Sequence, residues 1–372
     1  MDQLDLFELF QAEKCQNLEL DKEKLVRFVD DVISHDSITQ IKKDIKKMLD
    51  SFEENPFENP WCSNKIHKNG TVWKVDQEIF IGNLRQIHET RSLERVRYYL
   101  SRLKTSITRV KTGKINDINL NRWKEYTDIR TDSLWIDKKR ARTGKHIGSY
   151  WGNFIPQIPR QMMLRYTKLG DYVLDTFAGS GTTLIECRRL GRNGIGLELN
   201  PVVSQEAQKI IDSEDNIFDA KTNIVNANSV TADYKKIVEE QGVKKVQLVI
   251  MHPPYYDIIR FSENDDDLSN AASVEDFLDR LEEIGRRSYD VLEPGRYACL
   301  VIGDKYHNSE WIPLGFFSMQ RLMNVGFSLK SIIIKNFDQT KAKRQQEELW
   351  RYRAIVGGYY IFKHEYIFLF QK

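Results

Sequence analysis

Cysteine is scarce in this 372-residue chain. The four present, Cys15, Cys62, Cys187 and Cys299, lie far apart and in no pair spacing, which excludes a disulfide framework and a Cys-rich zinc site. Long apolar runs are also missing: nothing approaches the about 18 uninterrupted residues of a membrane span. The opening MDQLDLFELF is acidic and lacks a basic flank, so no signal peptide is expected, and the chain reads as soluble and cytoplasmic. No internal repeat or low-complexity tract stands out. Histidine numbers only seven, and His307, His364 and Glu365 have no HExxH-like spacing, so no metal site is expected. What is present is enough for a core. At 41% hydrophobic and 11% aromatic the chain is not disordered, and its length suits one large domain and one smaller one.

A net charge of +2 conceals an uneven distribution. Residues 1–60 carry eight Lys+Arg against fifteen Asp+Glu, and residues 95–145 carry fifteen against five. The basic segment interleaves Tyr98, Tyr99, Trp123, Tyr126 and Trp135 with its cations and ends in KKRAR at Lys138 to Arg142. Cations for phosphates and flat rings for bases suit a polyanion, while a solvated helical face is the plainer reading. The acidic segment reads as a protein contact or as a cover for the basic one. Apolar spacing predicts helices over 4–14, 21–35, 37–54 and 90–110. Beyond residue 150 short apolar runs alternate with helical stretches, the pattern of an open α/β sheet.

The most informative stretch runs from Asp171 to Pro201. Tyr172 to Leu174 predicts a buried strand ending at Asp175. The turn Phe177-Ala178-Gly179-Ser180-Gly181 leads into a helix over 182–190, and a second strand ends at Glu198. Glycines let a backbone approach a ligand closely, and a carboxylate such as Glu198 can accept from ribose hydroxyls. A GxGxxG spacing would need a third glycine after Gly179 and Gly181, and none stands there, which departs from a nicotinamide-dinucleotide loop. Asp175 before the loop would repel a pyrophosphate but suits a cationic cofactor, which points to S-adenosylmethionine. A helix-packing turn without a ligand is the alternative.

A second apolar strand, Val246 to Met251, stops at His252-Pro253-Pro254-Tyr255. Two prolines hold the chain extended above the carboxyl edge of a sheet, where such sheets place ligands, and offer carbonyls without N–H groups. Acceptors beside a ring suit an extruded base that carries an exocyclic amino group.

With these residues in view, the chain resembles the S-adenosylmethionine-dependent DNA amino methyltransferases, which modify adenine N6 or cytosine N4. DTFAGSGTT is similar to their cofactor loop, GIGLELNP to their ribose strand and HPPYYD to their catalytic tetrapeptide. GNFIPQIPRQMMLRYTKLGDYVLD resembles the segment leading into the loop, and FKHEYIFLFQK their closing strand. The resemblance covers about residues 130–372. It implies a Rossmann-like class I methyltransferase fold: an α/β domain over 130–372 with a mostly parallel seven-strand sheet and an antiparallel last strand, after a helix-rich N-terminal domain over 1–129. It further implies Phe154 and Pro156 at the methionine end, Asp175, Gly179 and Gly181 around the amino-acid portion, Glu198 on the ribose, Asn228 near the adenine, and Phe177 among the cofactor-binding residues. His252, Pro253, Pro254 and Tyr255 would engage the base: His252 by side chain, Pro253 by its carbonyl and Tyr255 by stacking. The family's tetrapeptide usually begins with Asp, Asn or Ser, so His252 leaves both adenine and cytosine as targets.

The implied reaction is direct in-line methyl transfer to an exocyclic amino nitrogen, with no covalent enzyme intermediate. Cys187 and Cys299 read as buried packing residues, which disfavours cytosine C5 chemistry. Asp304 follows a strand and suits either a substrate contact or a cap. The implied partners are double-stranded DNA and, in a restriction-modification setting, a cognate restriction or defence protein. The basic segment and a second stretch, Lys341 to Arg353, are candidates for DNA contact. RNA base methylation with the same chemistry, and a nucleic-acid-binding subunit inactivated through His252, are the competing readings.

Overall fold

A computed structural model describes residues 17–63, 71–137, 139–148, 150, 152–307, 310–337 and 347–372. The helix expected over 4–14, Cys15, Lys138 and residues 341–346 lie outside the described residues. The chain divides into two compact units, Met1–Gly113 with Ile118–Asp128 and Lys114–Asp117 with Ile129–Lys372.

The first unit is built twice over. Strand β1 (Asn17–Asp21) leads into helices α1 (Lys22–Ser34) and α2 (Ile38–Glu54). Strand β2 (Val72–Asp76) leads into α3 (Gln77–Glu89) and α4 (Leu93–Thr108). Each element starts 55 residues after its counterpart, 17 to 72, 22 to 77 and 38 to 93. The capping residues keep the same offset. Asp21 and Asp76 accept from the backbone N–H three residues on, as do Ser37 and Ser92, each satisfying a donor that the first turn leaves free. So do the core positions: Leu25 and Phe80, Val29 and Leu84, Val32 and Ile87, Ile41 and Val96, Ile45 and Leu100, Met48 and Leu103, Phe52 and Ile107 are all buried. The strands pair antiparallel about the equivalent residues Glu19 and Lys74, so a local two-fold relates the halves. This corrects the expectation of no internal repeat. Few identities survive because a core constrains apolar character and volume more than residue type.

The acidic first half covers part of the basic second half, through Asp30–Lys104 at 2.5 Å, Asp36–Arg97 at 2.9 Å and Glu53–Arg85 at 3.2 Å. As partly exposed pairs, each contributes no more than about 1 kcal/mol.

The second unit is a sheet with helices packed on it. Its strands are β3 (Leu134–Trp135), β4 (Tyr172–Asp175), β5 (Asn193–Glu198), β6 (Thr222–Asn226), β7 (Val246–Met251) and β8 (Leu292–Ile302). A small hairpin of β9 (Lys305–His307) and β10 (Glu310–Ile312) precedes β11 (Ser328–Asn336) and β12 (His364–Gln371). The sheet order is β3-β11-β12-β8-β7-β4-β5-β6. Every pairing is parallel except those of β12, which runs antiparallel to both β11 and β8. The fold is thus Rossmann-like, with the expected seven strands and their reversed last strand, and it gains an eighth of two residues at one edge. Continuous apolar runs such as Leu248 to Met251 and Ala298 to Ile302 are buried on both faces, as a covered parallel sheet requires. Strand order reverses between β4 and β7, where open α/β sheets bind ligands beyond their carboxyl ends.

Candidate active site

At the end of β4 the Asp175 carboxylate is 1% exposed. It accepts from the Phe177 amide at 2.9 Å and from the Thr183 hydroxyl. Burial pushes it up to about 6, against the pull of those two donors. Asp175 therefore shapes the turn from inside. Gly179 and Gly181 take φ of +49° and +81°, the left-handed region that a side chain disfavours, and Gly181 caps α5 (Thr182–Leu190). The Gly179 N–H donates to Glu198 Oε2 at 3.0 Å and the Asn200 N–H to Oε1 at 2.8 Å, so the end of β5 fixes both carboxylate oxygens beside the loop. Burial raises Glu198 as well, with the charges of Asp267 and Asp175 adding to it. No ion pair holds Asp175 or Glu198 among the described residues. Asn228 accepts from the Val230 N–H at 2.8 Å and so forms its own turn. Its neighbour Ser229 donates to the Thr176 carbonyl at 2.5 Å, holding that turn at the end of β4.

Phe154 is buried, and its carbonyl accepts from Arg140 at 2.7 Å. Pro156 starts the helix Gln157–Tyr166, where its missing N–H is no loss. Two residues that sequence reasoning passed over tie this segment to the glycine loop. Asn153 donates to Ser180 Oγ and accepts from the Thr182 hydroxyl, at 2.8 and 2.7 Å. The Tyr150 ring lies over Gly179, close enough that a Cβ there would stand 3.2 Å from it. Burial and the charges of Glu198 and Asp267 push the Tyr150 phenol up to about 12. Both residues belong to the stretch just before Phe154, so adjacency was the available signal.

At the end of β7, His252 packs edge-on against Phe154 with ring centroids 4.7 Å apart, joining the two halves of the expected site. Burial holds the imidazole well below its usual range, at about 4, so it is neutral near pH 7. Its Nε2 lies 3.3 Å from the Tyr255 hydroxyl, which donates to Glu365 at 2.9 Å. Glu365 in turn pairs with Lys335 at 2.9 Å, both nearly buried. Tyr255, expected as a stacking ring, is thus also anchored through its hydroxyl. Glu365, considered in the sequence for metal-ligand spacing, is that anchor. Pro253 is buried and Pro254 partly so.

Cys187 and Cys299 are fully buried, which drives both thiols up. Asp304 accepts from Trp311 Nε1, the Gly315 N–H and the Tyr366 hydroxyl, so it works as a cap. Of the Lys341–Arg353 stretch, the described part forms the helix Glu347–Gly357.

A family model described as DNA methylase matches residues 17–209 and 246–372. A 134-residue match to the Type II methyltransferase M.MjaII of Methanocaldococcus jannaschii is 29% identical, covering 34% of this chain and 25% of that protein. The Type II methyltransferase M2.DpnII of Streptococcus pneumoniae is 28% identical over 201 residues, 45% of this chain and 70% of the relative. A tRNA (guanine(10)-N2)-dimethyltransferase of Methanocaldococcus jannaschii is 30% identical over 127 residues, 33% of this chain and 34% of the relative. The chain therefore spans only about a quarter of the first of these relatives. The family match covers both the glycine loop and the HPPY strand end, and on it this chain belongs to the DNA methylase family.

Proposed function

We propose that this chain transfers a methyl group from S-adenosylmethionine to the exocyclic amino group of adenine (N6) or cytosine (N4) in DNA. The observation that carries the reading is the adjacency of β4 and β7 at the switch point. Asp175 pairs with Ile250, and the Thr176 N–H donates to the Ile250 carbonyl at 3.1 Å, so the glycine loop and the tetrapeptide leave neighbouring strand ends.

The donor set fits the cofactor. Asp175 and Glu198 are raised by burial and lack a cationic partner among the described residues, with Asp267 adding charge nearby. That field favours a cation and opposes a phosphate. Phe154, Pro156, Phe177, Gly179 and Gly181 would hold its amino-acid end, Glu198 its ribose and Asn228 its adenine. S-adenosylmethionine, when bound, supplies an electrophilic methyl on a sulfonium. The chain's own residues supply position. The Pro253 carbonyl and neutral His252 accept the two amino hydrogens, localising the nitrogen lone pair, and Tyr255 stacks on the extruded base.

In this reading the first unit grips DNA. Arg102 stands 5.9 Å from both the Tyr98 and the Tyr99 ring centroids, Trp123 is 58% exposed, and a groove there is lined by Gln86, Arg102, Asn121 and Lys124. Its two-stranded ribbon is also of a size that the major groove admits. A restriction-modification setting, with a cognate restriction or defence protein, goes with this function, as does a cytoplasmic location. No described helix is long and apolar enough to cross a membrane.

The similarity to the tRNA dimethyltransferase favours RNA as the second reading. Incubating the protein with methyl-labelled cofactor and duplex DNA or RNA, then identifying the modified base, tests both. Label in N6-methyladenine or N4-methylcytosine of DNA is expected. Label confined to RNA overturns the proposal.

A further inference from the structure

We propose that Lys335, Glu365 and Tyr255 form a relay that fixes His252 in the Nε2–H tautomer, leaving Nδ1 as the atom that accepts from the target amino group. The inference rests on the function proposed above and explains how histidine can stand where the resembling enzymes carry an oxygen acceptor.

The argument is a count of hydrogens. Glu365 places Oε1 2.9 Å from the Lys335 ammonium and Oε2 2.9 Å from the Tyr255 hydroxyl. A carboxylate only accepts, so the single phenolic hydrogen is committed to Glu365. The Tyr255 oxygen then has only lone pairs to offer His252 Nε2, 3.3 Å away, and that nitrogen must donate. A neutral imidazole has one N–H, so Nδ1 keeps its lone pair. Phe154, packed edge-on at 4.7 Å, also restrains the ring. Glu365 lies on β12 and Lys335 on β11, paired in register, so the relay is set by two strands that carry no other part of the site. Both are positioning residues.

The test reads the tautomer directly. In the full chain labelled with 15N-histidine, His252 is assigned by the signal lost in His252→Gln. At pH 7 the expected spectrum has a protonated Nε2 and an unprotonated Nδ1. Glu365→Gln sharpens the test because the Lys335 ammonium requires the amide oxygen. The amide NH2 then faces Tyr255, donates to its oxygen and turns the phenolic hydrogen toward His252 Nε2. The expected result is a switch to the Nδ1–H tautomer, with single-turnover methyl transfer slowed by at least about tenfold and duplex affinity unchanged. Lys335→Arg, which keeps the pair, should retain both tautomer and rate. A wild-type spectrum with Nδ1–H, or a Glu365→Gln protein with unchanged tautomer, overturns the relay. A correct tautomer in a wild-type protein that methylates neither adenine nor cytosine overturns the proposed function and leaves the relay standing.

Discussion

Gly181→Ala offers a quantitative probe of the glycine loop. Gly181 sits at φ +81°, ψ 19°, and a non-glycine residue in the left-handed region costs about 1–2 kcal/mol. The new methyl would also stand 2.8 Å from Ile211 Cδ1 and 3.0 Å from Cγ1, and Ile211 is fully buried in the cluster with Leu184, Ile185 and Ala207. Overpacking of this kind costs about 1–3 kcal/mol more. The expected destabilisation is therefore about 2–5 kcal/mol, read from urea unfolding followed by circular dichroism, with weakened cofactor binding in equilibrium dialysis. A double-mutant cycle separates the two terms. Ile211→Val alone should cost about 0.5–1.5 kcal/mol, yet in the Gly181→Ala background it removes the clashing Cδ1 and should restore part of the loss. A Gly181→Ala cost below about 1 kcal/mol, or strict additivity with Ile211→Val, would refute the proposed close approach of loop and helix.

The contributions of His252 and Asp175 to the pH dependence of stability should largely offset each other. His252, lowered to about 4 in the folded protein, stays neutral while the unfolded chain takes up a proton below its usual 6.5, which favours unfolding by up to about 3 kcal/mol as pH falls from 6.5 to 4. Asp175, raised to about 6, keeps its proton in the folded state and contributes the opposite trend, stability gained below pH 6 and lost as pH rises through it, by up to about 3 kcal/mol. Asp175→Asn should expose the histidine trend in denaturant midpoints between pH 4 and 6.5, and a variant with the wild-type pH profile would count against it. Methyl transfer should show no inflection from His252 between pH 6 and 7, since that imidazole is already neutral there, and an inflection that disappears in His252→Asn would contradict the burial argument. Arg102→Ala should weaken duplex binding and reduce its salt dependence by about one counterion, while Trp123→Ala should weaken binding without changing the salt slope. Fluorescence anisotropy across a salt series checks both, and unaltered affinity in both variants would remove that surface from the DNA contact. Cys187 and Cys299 should resist thiol reagents in the native protein and react on unfolding, and rapid native labelling of either would contradict their burial.

The candidate site was legible wherever its backbone is local. A buried strand, a glycine turn and a helix over Tyr172–Leu190 follow from a few neighbouring residues, because only glycine relieves the positive φ that the turn requires. The HPPY strand end is equally short-range. The internal repeat escaped notice because its halves share spacing, caps and burial rather than identities, and burial is a property of the folded unit. The relay behind His252 was out of reach for another reason. Tyr255 meets Glu365 across 110 positions of chain, and only the antiparallel return of β12 between β11 and β8 closes that distance. Sequence by itself determined where the glycine turn and the HPPY strand end lie and which side chains they carry. Tertiary structure decided the charge state of Asp175 and His252, since desolvation depends on what the whole sheet packs around them. It also decided which hydrogen bonds those groups can still make.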